Sequence, residues 1–140
     1  MEKYKFLPHT ADMKFRAFGK TLEEAFSNAA LALADTLVDV KKVKAVKEKK
    51  ITIQAEDKKA LLYDFLEKFL YLVDTEKFVM GKVKSLKIKE GKKLKLIAVV
   101  SGNKWTEKQG MRRHVKAVTY SDMIIDEKKG KVTIQVVLDL

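Results

Sequence analysis

The sequence contains no cysteine and a single proline, Pro8. Without cysteine, a disulfide framework, a thiolate-bound zinc or iron–sulfur centre and a cysteine nucleophile are all excluded. The expected compartment is the cytoplasm, with no disulfide-linked partner. Histidine is scarce too. His9 and His114 are the only two, so acid–base chemistry near neutral pH has few candidates. No apolar run follows a basic N-terminal stretch, and none approaches the roughly 18 to 20 residues needed to cross a bilayer. A soluble, unprocessed chain without membrane contact is expected. Also missing are a phosphate-binding or dinucleotide-binding glycine loop, a zinc-protease helix motif, a calcium-binding EF-hand loop and a serine nucleophile elbow. Acidic residues are outnumbered, nineteen against thirty basic ones, for a formal charge of +11. That balance favours a polyanionic partner. The excess is mostly lysine, which meets phosphate as a point charge. Lysine enrichment equally suits a thermophile surface of solvated ion-pair networks.

What is present points to one compact domain. With 140 residues, 46% of them apolar, the chain can bury one core and scarcely two. Met13, Phe15 and Ala17 alternate with Asp12, Lys14 and Arg16, the period of a half-buried strand, with Asp12 on its polar face. Gly19 supplies a turn into Thr21-Leu22-Glu23-Glu24, a capping box. Leu22, Ala25, Phe26, Ala29, Ala30, Leu33 and Leu37 then recur at helical spacing. After a basic stretch, Ile51 to Ala55 reads as a strand. Asp57 can cap a second helix running from Lys58 towards Asp74, with a broad apolar face of Leu61, Leu62, Phe65, Leu66, Phe69, Leu70 and Val73.

Further along, Leu86 and Ile88 alternate with Lys87 and Lys89, Glu90-Gly91-Lys92 turns, and Leu94, Leu96, Ala98 and Val100 follow in alternation with lysines. This is a lysine-studded hairpin. Its charges, from Lys82 to Lys95, occupy regular surface positions and are not nominated as phosphate ligands. His114 to Tyr120, Met123 to Ile125 and Lys131 to Leu140 read as strands, the last two joined by a turn at 126–130. Two early helices and a predominance of hairpin strands predict a single α+β domain, with both helices packed on one face of a mainly antiparallel sheet. A doubly wound parallel sheet would need helices between most strands.

Several blocks resemble the archease family. Tyr4-Lys5-Phe6-Leu7-Pro8-His9-Thr10-Ala11-Asp12 is similar to its N-terminal signature. The helix start Thr21-Leu22-Glu23-Glu24-Ala25-Phe26, the segment Tyr71-Leu72-Val73-Asp74, the block Val115-Lys116-Ala117-Val118-Thr119-Tyr120 and the closing Val137-Leu138-Asp139-Leu140 follow in the family's order. The resemblance covers nearly the whole chain. It implies a non-catalytic accessory protein that promotes guanylylation of an RtcB-type tRNA-splicing ligase, supports its multiple turnover and broadens its nucleotide use, with tRNA met indirectly through the ligase. It also implies a divalent metal, Ca²⁺ first with Mg²⁺ or Mn²⁺ as alternatives, bound by Asp12, Asp139 and the chain end at Leu140. The activating positions it implies are Asp12, Lys116 and Asp139. Two residues depart from the family pattern: Ser121, where histidine is expected, and Asn103, where an acidic residue is expected in a Gly102–Trp105 loop.

The residues themselves give these positions a rationale. Asp139 is out of phase with Val132, Ile134, Val136 and Leu138, so a regular strand points it away from the buried face. If the first and last strands are antiparallel neighbours, Asp12 and Asp139 meet. Clustered carboxylates repel, and a proton, a cation such as Lys116 or a metal must relieve the repulsion. Oxygen donors suit Ca²⁺ or Mg²⁺, with water or a partner filling the remaining positions. Taken singly, Asp12 as a turn cap, Asp139 as an exposed terminus and Lys116 as a solvated lysine are equally ordinary. His9 reads as a turn residue bonded to backbone. Arg112 and Arg113 are candidates for contact with an acidic ligase surface or RNA. Two other classes remain open: a stand-alone basic RNA-binding module, and a metal-dependent hydrolase.

Overall fold

In the computed structural model, which describes residues 1–9, 12–106 and 110–140, Thr21 caps the first helix as its sequence predicts. Its hydroxyl accepts the Glu24 N–H at 3.1 Å, while the Glu24 carboxylate reaches back to the Lys20 N–H at 3.2 Å. The reciprocal bond of the box thus falls one residue earlier than the usual pattern. Helix α1, Leu22–Leu37, is buried on most sides, including Ala25, Ala29, Ala30 and Ala32. Small side chains let neighbouring elements approach it all round. Gly19 makes the approach possible at its entry, since a Cβ there would lie 2.4 Å from the Ala25 nitrogen.

Helix α2, Lys58–Glu76, starts at Asp57, whose carboxylate accepts the Ala60 N–H at 2.8 Å. It ends at Lys77, which takes the left-handed conformation (φ 55°) and closes onto the Leu72 and Val73 carbonyls. The rings of Phe26 and Phe65 stack where the two helices meet, 6.3 Å apart.

Seven strands surround these helices: β1 Tyr4–Leu7, β2 Met13–Gly19, β3 Lys47–Ala55, β4 Phe78–Lys89, β5 Leu94–Lys104, β6 Ala117–Lys128 and β7 Lys131–Asp139. The α+β class is as expected, but the strands divide into two sheets. The first has the order β1-β2-β7-β6 and the second β3-β5-β4, all neighbours being antiparallel. Each helix touches both sheets, α1 against β2, β7 and β4, and α2 against β6 and all three strands of the second sheet. One face of each sheet therefore closes the core, and the other is turned outward.

Three local features differ from the sequence expectation. β1 was not foreseen, because its four residues pair only along the edge of β2, from Tyr4↔Ala17 to Leu7↔Lys14. The two short strands expected at 114–120 and 123–125 are one strand that begins at Ala117 and carries a bulge, with the register jumping between Thr119 and Ile124 and Asp122 at φ 52°. Gly102 to Lys104, expected in a loop, end β5. A Cβ on Gly102 would lie 2.0 Å from the Val79 carbonyl oxygen, so only glycine lets β4 and β5 stay paired there.

Candidate functional site at one end of the first sheet

Phe15, Ala17, Ile134, Val136 and Leu138 are fully buried. Strand alternation therefore turns Lys14 and Arg16 of β2, and Gln135 and Asp139 of β7, to the outer face. β2 pairs with β7 from Gly19↔Val132 to Met13↔Leu138. Continuing that pairing by one residue sets Asp12 opposite Asp139, and side chains so placed have Cβ atoms about 4.5–5.5 Å apart. The antiparallel pairing of the first and last long strands, on which the sequence argument depended, is present.

On its other side Asp139 pairs with Ala117, and its carbonyl accepts the Lys116 N–H at 2.8 Å. Lys116 precedes β6 and does not lie within it. Its side chain is exposed, while Val115 and Val118 on either side are buried. Leu140, next to Asp139 in the chain, is half-buried and packs against the core. Asp12, Lys116, Asp139 and Leu140 thus gather at one end of the sheet. Thr10 and Ala11, the middle of the His9–Asp12 motif, lie outside the described residues. Among the described residues, no three His, Cys, Asp or Glu side chains form a group fit to hold a metal ion.

His9, expected as a turn residue, also lies close to Asp12. Its Nδ1 lies 3.8 Å from the Asp12 carboxylate, and both side chains are about one-third exposed. One row further along the outer face, Lys14 pairs with Asp122 at 3.4 Å. Arg16 donates to the Gln135 side chain at 2.9 Å, and Gln135 donates in turn to the Asp122 carbonyl at 2.8 Å. These bonds hold the β6 bulge onto β2 and β7. On the helical side, the Glu67 carboxylate accepts the Val118 N–H at 2.8 Å. Sequence reasoning missed Gln135, Glu67 and Asp122, because their contacts span 13 to 119 residues. A glutamine interrupting the apolar run 134–138 was the one available signal.

Arg112 is committed elsewhere. Its guanidinium binds Asp35 at 3.1 Å and Asp39 at 3.5 Å, and its N–H meets the Leu37 carbonyl at 2.8 Å. It fastens the segment before β6 to the end of α1, so the side chain expected to contact an acidic ligase surface or RNA is already ion-paired within the chain, while remaining partly exposed. Arg113 is exposed. Ser121 lies exposed within the bulge, and Asn103 is half-buried, its side chain accepting the Lys104 N–H.

Fold and site together define a small α+β domain of two helices and two antiparallel sheets, with an acidic pair at one sheet end. The archease protein family (MTH1598/TM1083) matches residues 4–140, and the chain belongs to that family. Protein archease of Thermococcus kodakarensis is 43% identical and that of Pyrococcus furiosus 41% identical, each alignment covering 100% of both chains. The solution structure of Methanobacterium thermoautotrophicum Protein 1598 superposes with a TM-score of 0.85 at 37% identity, again over 100% of both chains. The crystal structure of a Thermotoga maritima archease, described as a possible chaperone, shares the fold at a TM-score of 0.61 and 20% identity, covering 97% of this chain and 96% of that one. No helix among the described residues is long and apolar enough to cross a membrane.

Proposed function

We propose that this chain is a non-catalytic activator of an RtcB-type tRNA-splicing ligase, and that the end of the first sheet bearing Asp12, Lys116 and Asp139 is the part that meets the ligase. The observation that carries the reading is the β2–β7–β6 register, which brings these three positions together from distant parts of the chain. Family membership supports the choice of partner, and the register supports the choice of surface.

The donor set fits a divalent cation in kind. Two Asp carboxylates and the main-chain carboxyl of Leu140 offer hard oxygen donors of like charge, on an end where Asp139 is exposed. Three such groups leave half or more of a calcium shell to water or to a partner's oxygens. A divalent cation, Ca²⁺ first with Mg²⁺ or Mn²⁺ as alternatives, would supply positive charge to offset the repulsion between these carboxylates. Asp12 and Asp139 would hold the ion, while Lys116 would add a flexible positive charge at the same end.

The test is a ligase guanylylation assay with GTP, run with and without the full chain. Faster and repeated guanylylation is expected only with the chain present, and the chain alone should release no phosphate from GTP or from phosphate esters. An unchanged ligase rate overturns the reading. Hydrolysis by the chain alone favours the hydrolase class.

A further inference from the structure

The outer face of the second sheet is a basic platform that the sequence alone does not assemble. The inner face is fixed by Leu96, Ala98 and Val100, all fully buried, and by Ile51 beside them. The opposite residues form cross-strand rows: Lys50–Val99–Ser85, Thr52–Ile97–Lys87 and Gln54–Lys95–Lys89. Lysines of the β4–β5 hairpin are thereby joined by Lys50, which is 37 residues before Lys87 in the chain. The flanking residues are exposed, and Ile97 and Val99 down the middle are half-buried.

Ion pairing separates this face from an ordinary charged surface. Lys49, Lys58, Lys84 and Lys93 each meet a glutamate, as a thermophile-like network would have it. Among the described residues, Lys50, Lys87, Lys89 and Lys95 have no acidic partner. The one acidic side chain that alternation places on this face, Glu48, is already engaged by Lys84. A shallow concavity of about 500 Å³ continues the face at the hairpin tip, lined by Gln54, Lys89, Glu90, Lys92, Lys93 and Lys95.

We infer that this sheet face binds the phosphate backbone of single-stranded RNA. The outer strands lie about 10 Å apart, two inter-strand spacings, and Lys87 and Lys89 stand two residues apart on the outer face of β4, about 6.6 Å along it. A strand laid along β5 therefore has ammonium groups on both sides. Thr52, Ser85 and Gln54 provide neutral hydrogen-bonding groups among the charges, and Ile97 with Val99 provides an apolar floor for a base or ribose. No aromatic ring occupies these rows, so stacking is absent and the binding is electrostatic and tolerant of sequence. The inference stands apart from the ligase reading, which concerns the other sheet.

The probe is a fluorescently labelled, unstructured 20-nucleotide RNA, followed by anisotropy with the full chain over a salt series. Four lysine contacts give a slope of log K against log salt of about −3, at roughly 0.7 per neutralised phosphate of a single strand. The variant with Lys50, Lys87, Lys89 and Lys95 all changed to Gln should bind more than about tenfold more weakly, with a flattened slope. A matched variant with Lys20, Lys41, Lys59 and Lys129 changed to Gln should keep most of the affinity. Circular dichroism checks both folds, and Lys87→Glu alone serves as the face variant if the fourfold one fails to fold. No RNA binding at low salt, or equal loss in both fourfold variants, overturns the inference. So does tighter binding of polyglutamate of equal charge than of the RNA at the same salt, which would make an acidic protein the occupant. Loss of RNA binding with ligase stimulation intact leaves the proposed function standing, and the reverse result leaves this one standing.

Discussion

The Lys116 N–H donates to the Asp139 carbonyl at 2.8 Å, although Lys116 lies one residue before the strand that pairs with β7. A backbone bond of this kind fixes where the lysine starts without restraining its side chain. Lys116→Ala should therefore leave the fold and melting temperature nearly unchanged, since surface substitutions commonly stay within about 0.5 kcal/mol. Stimulation of ligase guanylylation should fall. Full stimulation by the folded Lys116→Ala chain would remove Lys116 from the site.

Asp12 and Asp139 should behave as a pair toward divalent cations. Asp12→Asn and Asp139→Asn each remove a negative charge with little change in volume, and each should weaken Ca²⁺ binding by about tenfold or more, as loss of a charged ligand interaction of about 1.5–3 kcal/mol implies. A short peptide added after Leu140 should act in the same direction by replacing its carboxylate with a neutral carbonyl. Isothermal calorimetry reads all three. Unchanged affinity throughout would contradict the proposed metal site, and unchanged affinity in the extended chain alone would remove Leu140 from it.

Glu67 should matter for stability more than its position on a half-exposed helix suggests. It accepts the N–H of Val118, which is 2% exposed, and among the described residues no strand lies beyond β6 to replace that bond. Glu67→Ala should cost about 1–3 kcal/mol, the penalty for a buried donor left unmet. Glu67→Gln, whose amide oxygen can still accept, should cost less. Urea unfolding would show the ranking, and equal stability of both variants with the parent chain would refute it.

The Tyr4 hydroxyl is pushed up to about 12, first by burial and then by the neighbouring Asp35 carboxylate, to which it donates at 3.0 Å. Its folded value lies above the unfolded value of 10.0. The stabilisation it contributes is therefore complete below pH 10 and is lost as pH rises towards 12. Tyr4→Phe should lower stability at neutral pH by about 1 kcal/mol, one hydrogen bond. It should also lose less stability than the parent between pH 10 and 12. Parallel alkaline losses in the two chains would contradict this account.

Local signals carried much of the fold. Thr21 and Asp57 cap the helices that their residue types predict, and the alternation in β2 and β7 places Asp12 and Asp139 on the polar side. Periodicity states which face a residue occupies but not which strand lies beside it, so the division into two sheets could not be read from it. The same limit hid Lys50 from its partners on the second sheet. Lys116 was assigned to a strand because it alternates with Val115 and Ala117, yet the ladder begins only at Ala117 and Val115 is buried before it. Arg112 resembled a free cation because its acids, Asp35 and Asp39, lie more than 70 residues earlier in the chain.

The most direct measurement is multiple-turnover ligase guanylylation with GTP, comparing the parent chain, the Asp12→Asn/Asp139→Asn double variant and the variant lacking Lys50, Lys87, Lys89 and Lys95. The parent and the lysine variant should both stimulate the ligase, because the second-sheet face is separate from the acidic end. The folded double variant should fail to stimulate it, whatever divalent cation is supplied. Stimulation by the double variant equal to that of the parent would contradict the claim that this end of the first sheet activates the ligase.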